Sequence, residues 1–223
     1  MRREKERSGQ IDRRRLLKGD VLAIGAAGAT SAVGAGSGND IVLTRGDDVE
    51  GGEQGYELTA EPGKITIRGG GEAGLFYGTR TLIQLVQEGR GSWMVRGMEI
   101  ADWPDIEFRT AHYDTKHHQD KAEYVRDFIR ELADYKFNIL LWEWEDKFAY
   151  RSHPDIGAPG AFTMQEMQEF TRLAAKYHIQ LVPLVQGLGH VSFILKWPQF
   201  RHLREIPASN WEFCPLKEGT YDL

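Results

Sequence analysis

The 223-residue sequence contains one cysteine, Cys214, and this scarcity excludes an internal disulfide and a cysteine-rich metal site. It also lacks an uninterrupted apolar run of about 20 residues, the length that a membrane-spanning helix requires. Beyond the N-terminus acidic residues outnumber basic ones, since residues 21–223 carry 20 Lys/Arg against 29 Asp/Glu side chains. Such an acidic body argues against nucleic acid or an anionic membrane surface as the main partner.

The basic residues concentrate at the N-terminus. Residues 1–20 hold eight Lys/Arg and four Asp/Glu, and the run Asp12-Arg-Arg-Arg-Leu-Leu-Lys18 precedes a weakly apolar stretch rich in Ala and Gly. This pattern is typical of a twin-arginine export signal, although Ser or Thr is usual where Asp12 stands. The alternative is a basic tail with a short linker. We expect a leader over residues 1–38, with cleavage candidates between Ala27 and Ala35, and an exported protein, periplasmic or extracellular.

Short segments with alternating polarity follow the leader. Ile41–Thr44 predicts an edge strand, and residues 56–60 and 64–68 predict a hairpin around a Pro-Gly turn. Residues 73–87 place apolar side chains at helical spacing. Ile100–Asp105 predicts a linker, because the residue before a proline is driven out of the helical region. These segments together indicate a small α/β domain.

The rest of the chain alternates strand and helix patterns. We predict strands at 108–114, 137–145 and 180–185, and helices at 121–135, 163–178 and, broken around Trp197-Pro198, 193–205. The second helix starts with a capping box of Thr163 and Glu166, and the first should bury Tyr124, Phe128 and Leu132.

This alternation is typical of parallel βα units. A closed (β/α)8 barrel takes about 250 residues, whereas three units fit between Phe108 and Leu223. The sequence therefore indicates either a small open sheet or the front portion of a barrel.

The most informative stretch is Asn138–Asp146, where an apolar strand pattern runs directly into Glu143, Glu145 and Asp146. A buried parallel strand is normally a short apolar run, and an unpaired buried carboxylate costs several kcal/mol. In α/β folds a ligand or a polar network at the carboxyl ends of the strands satisfies such groups. We therefore expect a functional site here, with Glu143 and Glu145 on one face if the strand stays regular.

Arg109 opens the first strand of the second half and is a candidate ligand-binding residue. A planar guanidinium can donate two parallel hydrogen bonds to neighbouring hydroxyl groups of a sugar. The alternative is an ion pair with Glu143 or Asp146 inside the sheet, and both roles can hold together.

Three histidines, His112, His117 and His118, raise the hypothesis of a metal site. No carboxylate-histidine spacing typical of a known metal site accompanies them. We therefore predict no metal, and nothing else in the sequence calls for a cofactor.

Motifs along most of the chain resemble glycoside hydrolase family 20, the β-N-acetylhexosaminidases. Those of the accessory domain and linker are Gly55–Leu58, Ile65–Ile67, Gly74–Leu85 and Ile100–Pro104; those of the first three barrel strands are Arg109–Asp114, Asn138–Asp146 and Pro183–His190. Trp142–Tyr150 and Pro183–Lys196 are most similar to the hexosaminidase D branch. The sequence departs from the family at Thr110, Leu141, Glu143, Lys147 and Leu188, where Gly, His, His, Asp and Pro are usual.

The resemblance implies roles for five residues. Arg109 matches an arginine that holds the non-reducing sugar. Asp146 and His190, at the ends of adjacent strands, match a supporting pair in which the carboxylate orients the imidazole. Glu143 and Glu145 are expected to contact substrate, with one of them replacing the missing family histidine.

The family mechanism is substrate-assisted. The acetamido oxygen of the sugar attacks the anomeric carbon, an Asp orients that amide, and the adjacent Glu protonates the leaving oxygen. The sequence contains no Asp-Glu dipeptide, so the catalytic pair is expected to lie beyond its last residue, after a fourth strand. The chain alone is then expected to be inactive and to associate with a second chain that completes the barrel.

The resulting expectation is an α/β protein in three parts: a leader at 1–38, a family 20 accessory α/β domain at 39–103, and an incomplete (β/α)8 TIM barrel at 104–223. Its substrate would be terminal N-acetylhexosamine of glycans. One alternative is a non-catalytic carbohydrate-binding or assembly module. Another is an unrelated barrel hydrolase that uses Glu143 or Glu145 as its acid.

Overall fold

A computed structural model describes residues 31–33, 40–88 and 93–223. Apart from residues 31–33, the predicted leader lies outside the described residues. The chain divides into two compact units, Met1–Glu107 and Phe108–Leu223. Within the described ranges no helix is both long enough and apolar enough to cross a bilayer.

The first unit contains a five-stranded sheet with the order β1-β2-β4-β3-β7. Its strands are β1 (Ser31–Val33), β2 (Asp40–Arg45), β3 (Tyr56–Glu61), β4 (Lys64–Gly69) and β7 (Met98–Asp102), and a separate pair is formed by β5 (Gln87–Glu88) and β6 (Trp93–Met94). β2 and β4 pair in parallel, and the other neighbours in the sheet are antiparallel. The predicted hairpin of β3 and β4 is thus confirmed.

Two expectations for this unit are wrong. The strand at Ile41–Thr44 is not at the edge, because β1 pairs on its outer side. Ile100–Asp102 is not a linker, since these residues belong to β7 and pair with β3, with Ile100 opposite Leu58. Pro104 lies two residues beyond the end of β7, so it does not interrupt the strand.

One helix, α1 (Glu72–Leu85), packs against β2, β3 and β4. Gly78 lies where the helix comes closest to the sheet: a Cβ atom there would be 2.5 Å from Ile67 Cγ2. Ile67 pairs with Leu58 across the β3–β4 hairpin, and both side chains are fully buried. The helix therefore packs directly on the centre of the hydrophobic core, and only glycine at position 78 allows this close approach.

The second unit contains three parallel strands in the order β10-β9-β8. The elements are β8 (Thr110–Asp114), α2 (Ala122–Asp134), β9 (Ile139–Glu143), α3 (Met164–Lys176), β10 (Gln180–Leu184) and α4 (Ser192–Leu195), with 3-10 turns at Glu145–Lys147, Pro154–Ile156 and Pro198–Leu203. Three strand-helix units in sequence confirm the alternation predicted for this half. The capping box of Thr163 and Glu166 is present at the start of α3.

The two long helices pack against each other and cover one face of the three-stranded sheet. Trp142 of β9 lies at the centre of this layer, with its ring centroid 5.7 Å from that of Phe170 on α3 and 5.2 Å from that of Tyr113 on β8. The predicted buried face of α2 is confirmed at Leu132, which is buried, but it is shifted by one residue earlier in the helix. Val125 and Ile129 are fully buried, whereas Tyr124 is 53% exposed.

The opposite face of this sheet has no helix over it in the described part of the unit. Its side chains include His112 and Leu184, which are exposed or only partly buried. β10 forms one edge of the sheet, and Val185, directly after it, is 62% exposed. A parallel sheet is normally covered on both faces, so this one-sided covering is unusual for a self-contained α/β sheet.

The close approach of α1 to the sheet can be tested with Gly78→Ala. Alanine favours a helix over glycine by about 1 kcal/mol, but forcing a methyl group into a filled core costs about 1–3 kcal/mol. We expect the steric cost to exceed the gain in helix propensity, so that the free energy of unfolding falls by about 1 kcal/mol in urea denaturation.

Gly97→Ala is the matched control, because a Cβ at this exposed position would meet Ala60 O at an ordinary 3.6 Å. We expect a change within about 0.5 kcal/mol for this variant. Equal effects of the two substitutions would contradict the proposed steric cause.

Candidate functional site

The three parallel strands bring their carboxyl ends to one edge of the sheet. In the strand register, Asp114 of β8 lies beside Glu143 of β9, and Glu143 lies beside Leu184 of β10. Parallel strands make this alignment unavoidable, so polar residues at their ends collect in one place. The site that the sequence predicted at the end of β9 therefore receives side chains from all three strands or the loops that follow them.

Glu143 is the centre of this cluster and is 1% exposed. Lys116 Nζ, in the loop after β8, lies 3.0 Å from its Oε1 atom, and Gln186 Nε2, after β10, donates a hydrogen bond to the same oxygen. His112 Nε2 lies 3.3 Å from Oε2 but is not aligned as a hydrogen bond, and no other described group donates to Oε2. A buried carboxylate needs such partners, since its desolvation costs several kcal/mol.

Lys116 joins two carboxylates. Its Nζ atom also lies 3.2 Å from Asp114 Oδ2, while its backbone N–H donates to Asp114 Oδ1 at 3.0 Å. That backbone hydrogen bond is the main reason why the pKa of Asp114 is lowered, and the Lys116 ammonium adds to it. The hydrogen bond to Glu143 raises the pKa of Lys116. Both groups are therefore charged at neutral pH.

The chain turns sharply after Glu143, so the predicted continuation of the strand to Glu145 is wrong. Trp144 has helical backbone angles, and Glu145 has φ = +41°, in the left-handed region that residues other than glycine rarely adopt. The Tyr150 hydroxyl donates to Glu145 O at 2.8 Å, and Lys147 N donates to Trp144 O at 2.7 Å. These bonds hold the turn in its strained conformation.

The side chain of Glu145 is nearly buried, with the residue 8% exposed, and no described group forms a hydrogen bond or an ion pair with its carboxyl. Burial is the main cause that raises its pKa to about 7 from the ordinary 4.5, and the charge of Glu143 is the next. Lys116 acts in the opposite direction. Glu145 is therefore a buried acid that titrates near neutral pH.

Asp146 has two ammonium partners. Lys147 Nζ lies 2.5 Å from Oδ1, and Lys196 Nζ, at the end of α4, lies 3.3 Å from Oδ2. No hydrogen bond or ion pair joins Asp146 to His190 among the described residues; instead, the His190 ring lies 4.7 Å from the Trp211 ring, centroid to centroid. The structure thus gives both residues other contacts, and their role as a supporting pair stays a prediction.

Arg109 is not brought to this cluster. It precedes β8, about 16 Å along the strand from Asp114 at about 3.3 Å per residue. Its Nε atom donates to Lys136 O at 2.7 Å, and its backbone N–H donates to Asn138 Oδ1 at 2.8 Å. Arg109 therefore lies at the amino-terminal edge, where it ties β8 to the start of β9, and its role in holding the sugar stays a prediction.

The three histidines do not form a metal site. His112 faces Glu143, and His118 Nε2 lies 3.1 Å from Asp120 Oδ2, while Asp120 also accepts a hydrogen bond from the Tyr113 hydroxyl. Within the described ranges, no group of three or more His, Cys, Asp and Glu side chains is arranged to hold a metal ion.

Sequence reasoning missed Lys116, Gln186 and Lys196. A signal for Lys116 and Gln186 was present, because each follows the end of a predicted strand by two residues or fewer. Lys196 follows a four-residue helix and lies 50 positions from Asp146, so no local pattern could connect them.

Comparisons with known proteins agree with this α/β fold. A sequence model of glycosyl hydrolase family 20, domain 2, matches residues 5–103, a range that begins inside the predicted leader. Hexosaminidase D of Bos taurus is 33% identical over 116 residues, which cover 52% of this chain and 34% of that protein. Beta-hexosaminidase of Vibrio furnissii is 27% identical over 183 residues, covering 70% of this chain and 30% of that protein.

Solved structures give the same result. A mutant Streptomyces plicatus beta-hexosaminidase in complex with its product GlcNAc has a TM-score of 0.73 and 29% identity, covering 94% of this chain and 48% of that one. The family 20 beta-N-acetylhexosaminidase of Streptomyces coelicolor has a TM-score of 0.70 and 29% identity, covering 83% and 43%. The present chain thus spans about a third of the length of the two relatives named above and less than half of these two structures.

The fold is α/β, like that of these family 20 structures. The matches in sequence and structure support this chain as a member of glycoside hydrolase family 20.

The contribution of Glu143 to stability can be measured with Glu143→Gln. The side-chain amide of glutamine would place its NH2 group against Lys116 or Gln186. Both of these residues are hydrogen-bond donors, so the contact would pair a donor with a donor. We expect the free energy of unfolding to fall by about 2 kcal/mol, because a buried ion pair loses one partner. Tryptophan fluorescence during urea denaturation reports the change. Glu131→Gln, on the exposed side of α2, is the control and should stay within about 0.5 kcal/mol.

The raised pKa of Glu145 predicts how stability depends on pH. As the pH rises, the carboxyl of the unfolded chain loses its proton near pH 4.5 and that of the folded chain near pH 7, so Glu145 disfavours folding increasingly across this window. We expect the stability of Glu145→Gln relative to wild type to increase by about 2 kcal/mol between pH 5 and pH 8. Urea denaturation at both pH values tests this, and a pH-independent difference would contradict it.

Proposed function

We propose that this chain is part of a β-N-acetylhexosaminidase, a glycosidase that acts on terminal N-acetylhexosamine of glycans. Support comes from membership of the family and from the names of the relatives, which are hexosaminidases in mammals and bacteria. The single observation that carries the proposal is the cluster of charged side chains at the carboxyl ends of three parallel strands, the edge at which barrel enzymes bind substrate. The resemblance of Trp142–Tyr150 to the hexosaminidase D branch and the 33% identity to hexosaminidase D of Bos taurus favour that branch.

We further propose that residues 108–223 are the first three βα units of a (β/α)8 barrel. In such a barrel helices cover only the outer face of the sheet, and the inner face points to the barrel axis. This accounts for the two helices on one face of the sheet and the uncovered face with His112 and Glu143. The open edge of β10 and the exposed Val185 would then be covered by the remaining units, supplied by a further polypeptide segment or a second chain.

Within this site, Lys116 and the two glutamates are the ligand-binding groups that we propose. Lys116 lies on the open face with its side chain 24% exposed, so its ammonium can donate to a sugar hydroxyl while it stays paired with Glu143. Glu143 fixes Lys116 in place. Asp146, with its two lysine partners, closes the cluster on the side of α4.

Residues 1–223 contain no Asp-Glu dipeptide, the pair that the substrate-assisted mechanism uses; the adjacent Glu145 and Asp146 stand in the reverse order. We therefore propose that these residues bind the sugar and do not hydrolyse it by themselves. The alternative function, a non-catalytic carbohydrate-binding module, is favoured by the same absence.

Export through the twin-arginine pattern around Arg13-Arg14 remains part of the proposal.

The purified 223-residue chain can test this function with two measurements. We expect no hydrolysis of p-nitrophenyl N-acetyl-β-glucosaminide above the blank, and binding of N-acetylglucosamine in an NMR titration. Lys116→Ala should weaken binding by about tenfold, since a hydrogen bond from a charged donor is worth about 1.5 kcal/mol or more.

Lys121→Ala is the control, because Lys121 is exposed and lies outside the cluster. Hydrolysis by the chain would contradict the absence of a catalytic acid. An Arg109→Ala variant that folds but loses its sugar affinity, with Lys116→Ala unchanged, would instead favour the site at Arg109 predicted from the sequence.

A further inference from the structure

Charge is balanced in the cluster only when Glu145 is neutral. Three ammonium groups face four carboxyl groups: Lys116 pairs with Asp114 and Glu143, and Lys147 and Lys196 pair with Asp146. Glu145 is the one carboxyl of this set with no ammonium partner among the described residues. With its proton bound, three negative charges meet three positive ones.

The protein also fixes the position of Glu145 without using its carboxyl. The left-handed backbone at φ = +41° is held by the Tyr150 hydroxyl and by neighbouring backbone hydrogen bonds, among them Ala158 N to Asp146 O at 2.7 Å. A strained backbone of this kind costs about 1–3 kcal/mol and persists only where the surroundings enforce it. The strain therefore holds a nearly buried carboxyl group that has no hydrogen-bond or ion-pair partner among the described residues, and such a group requires one.

We propose that Glu145 binds the ligand as a neutral carboxylic acid, donating a hydrogen bond to an uncharged acceptor such as a sugar hydroxyl or acetamido oxygen. This inference rests on the proposed function, because the sugar is the ligand that the function supplies. It adds that the site selects an uncharged hexosamine derivative over an anionic sugar, since all three ammonium groups of the cluster are already paired with carboxyl groups and none is left for an anion.

Burial, together with the nearby charge of Glu143, raises the pKa of Glu145 to about 7, so the acid form is available at neutral pH and is lost above it. The charged and titratable groups around it come from every adjacent element: Asp114, Lys116 and His112 from β8 and its loop, Glu143 from β9, Asp146, Lys147 and Tyr150 from the following turn, and Lys196 from α4. The pKa of Tyr150 is raised to about 12, chiefly by burial, so its hydroxyl keeps its proton throughout this range.

The test is the affinity of the full 223-residue chain for N-acetylglucosamine at pH 6 and pH 8, measured by NMR titration. If only the acid form binds, the dissociation constant follows the fraction of protonated Glu145 and should be about tenfold larger at pH 8 than at pH 6. Glu145→Gln keeps a neutral donor in place and should bind with the wild-type pH 6 affinity at both pH values, within about twofold. Glu145→Ala should bind about tenfold more weakly at pH 6.

The glutamine variant is decisive because it removes the titration of Glu145 and leaves every other titratable group of the cluster in place. If the pH dependence persists in Glu145→Gln, it belongs to another group and the inference is overturned. Affinity that rises with pH in the wild type would mean that the carboxylate form binds, which also overturns it. Glu131→Gln is the matched control and should show the same tenfold change as the wild type.

These outcomes are distinct from failure of the proposed function. If wild-type binding is independent of pH and Glu145→Gln binds equally well, Glu145 has no role in binding. The sugar site itself is then still supported. Absence of binding to the wild type at both pH values removes the sugar site itself, and the role of Glu145 falls with it.

Discussion

The structure of the second unit depends on the need to satisfy one buried carboxylate. Glu143 ends the central strand, and its partners come from the loops that follow the two flanking strands: Lys116 after β8 and Gln186 after β10. Thr115 adds a third link, since its hydroxyl donates to the backbone oxygen of Glu143 at 2.8 Å. An unpaired buried carboxylate would cost several kcal/mol, so these loops are drawn to the same edge of the sheet. The polar surface that results is the candidate site.

A second constraint acts on the same cluster and explains why Glu145 differs from its neighbours. Asp114, Glu143 and Asp146 each have a lysine within 3.3 Å, whereas Glu145 lies among them with none. Burial, and next the charge of Glu143, raise the pKa of Glu145 to about 7, so this carboxyl holds its proton at a pH at which an ordinary glutamate has lost it. The cluster thereby combines three carboxyl groups that are paired with lysines and one that has no ammonium partner among the described residues.

Much of the fold was predictable from local patterns. The β3–β4 hairpin, the three strand-helix units and the capping box at Thr163 and Glu166 depend on residues close together in the chain. The errors arise where distant contacts decide the outcome. Ile100–Asp102 has a weak strand pattern beside a proline, and only its pairing with β3 makes it a strand. The face of α2 is shifted because α3 and the sheet, rather than Tyr124 and Phe128, define what is buried.

The candidate site divides in the same way. The sequence by itself determined that carboxylates follow a buried strand, and this requires a polar site at the carboxyl ends of the strands whatever the rest of the fold is. Only the tertiary structure decided which side chains meet there. Arg109 lies at the other edge of the sheet, because a strand extends about 3.3 Å per residue and so separates residues at its two ends by most of the height of the sheet. Lys196 is included because α4 returns to Asp146 across 50 positions of sequence, a closure that no local pattern encodes.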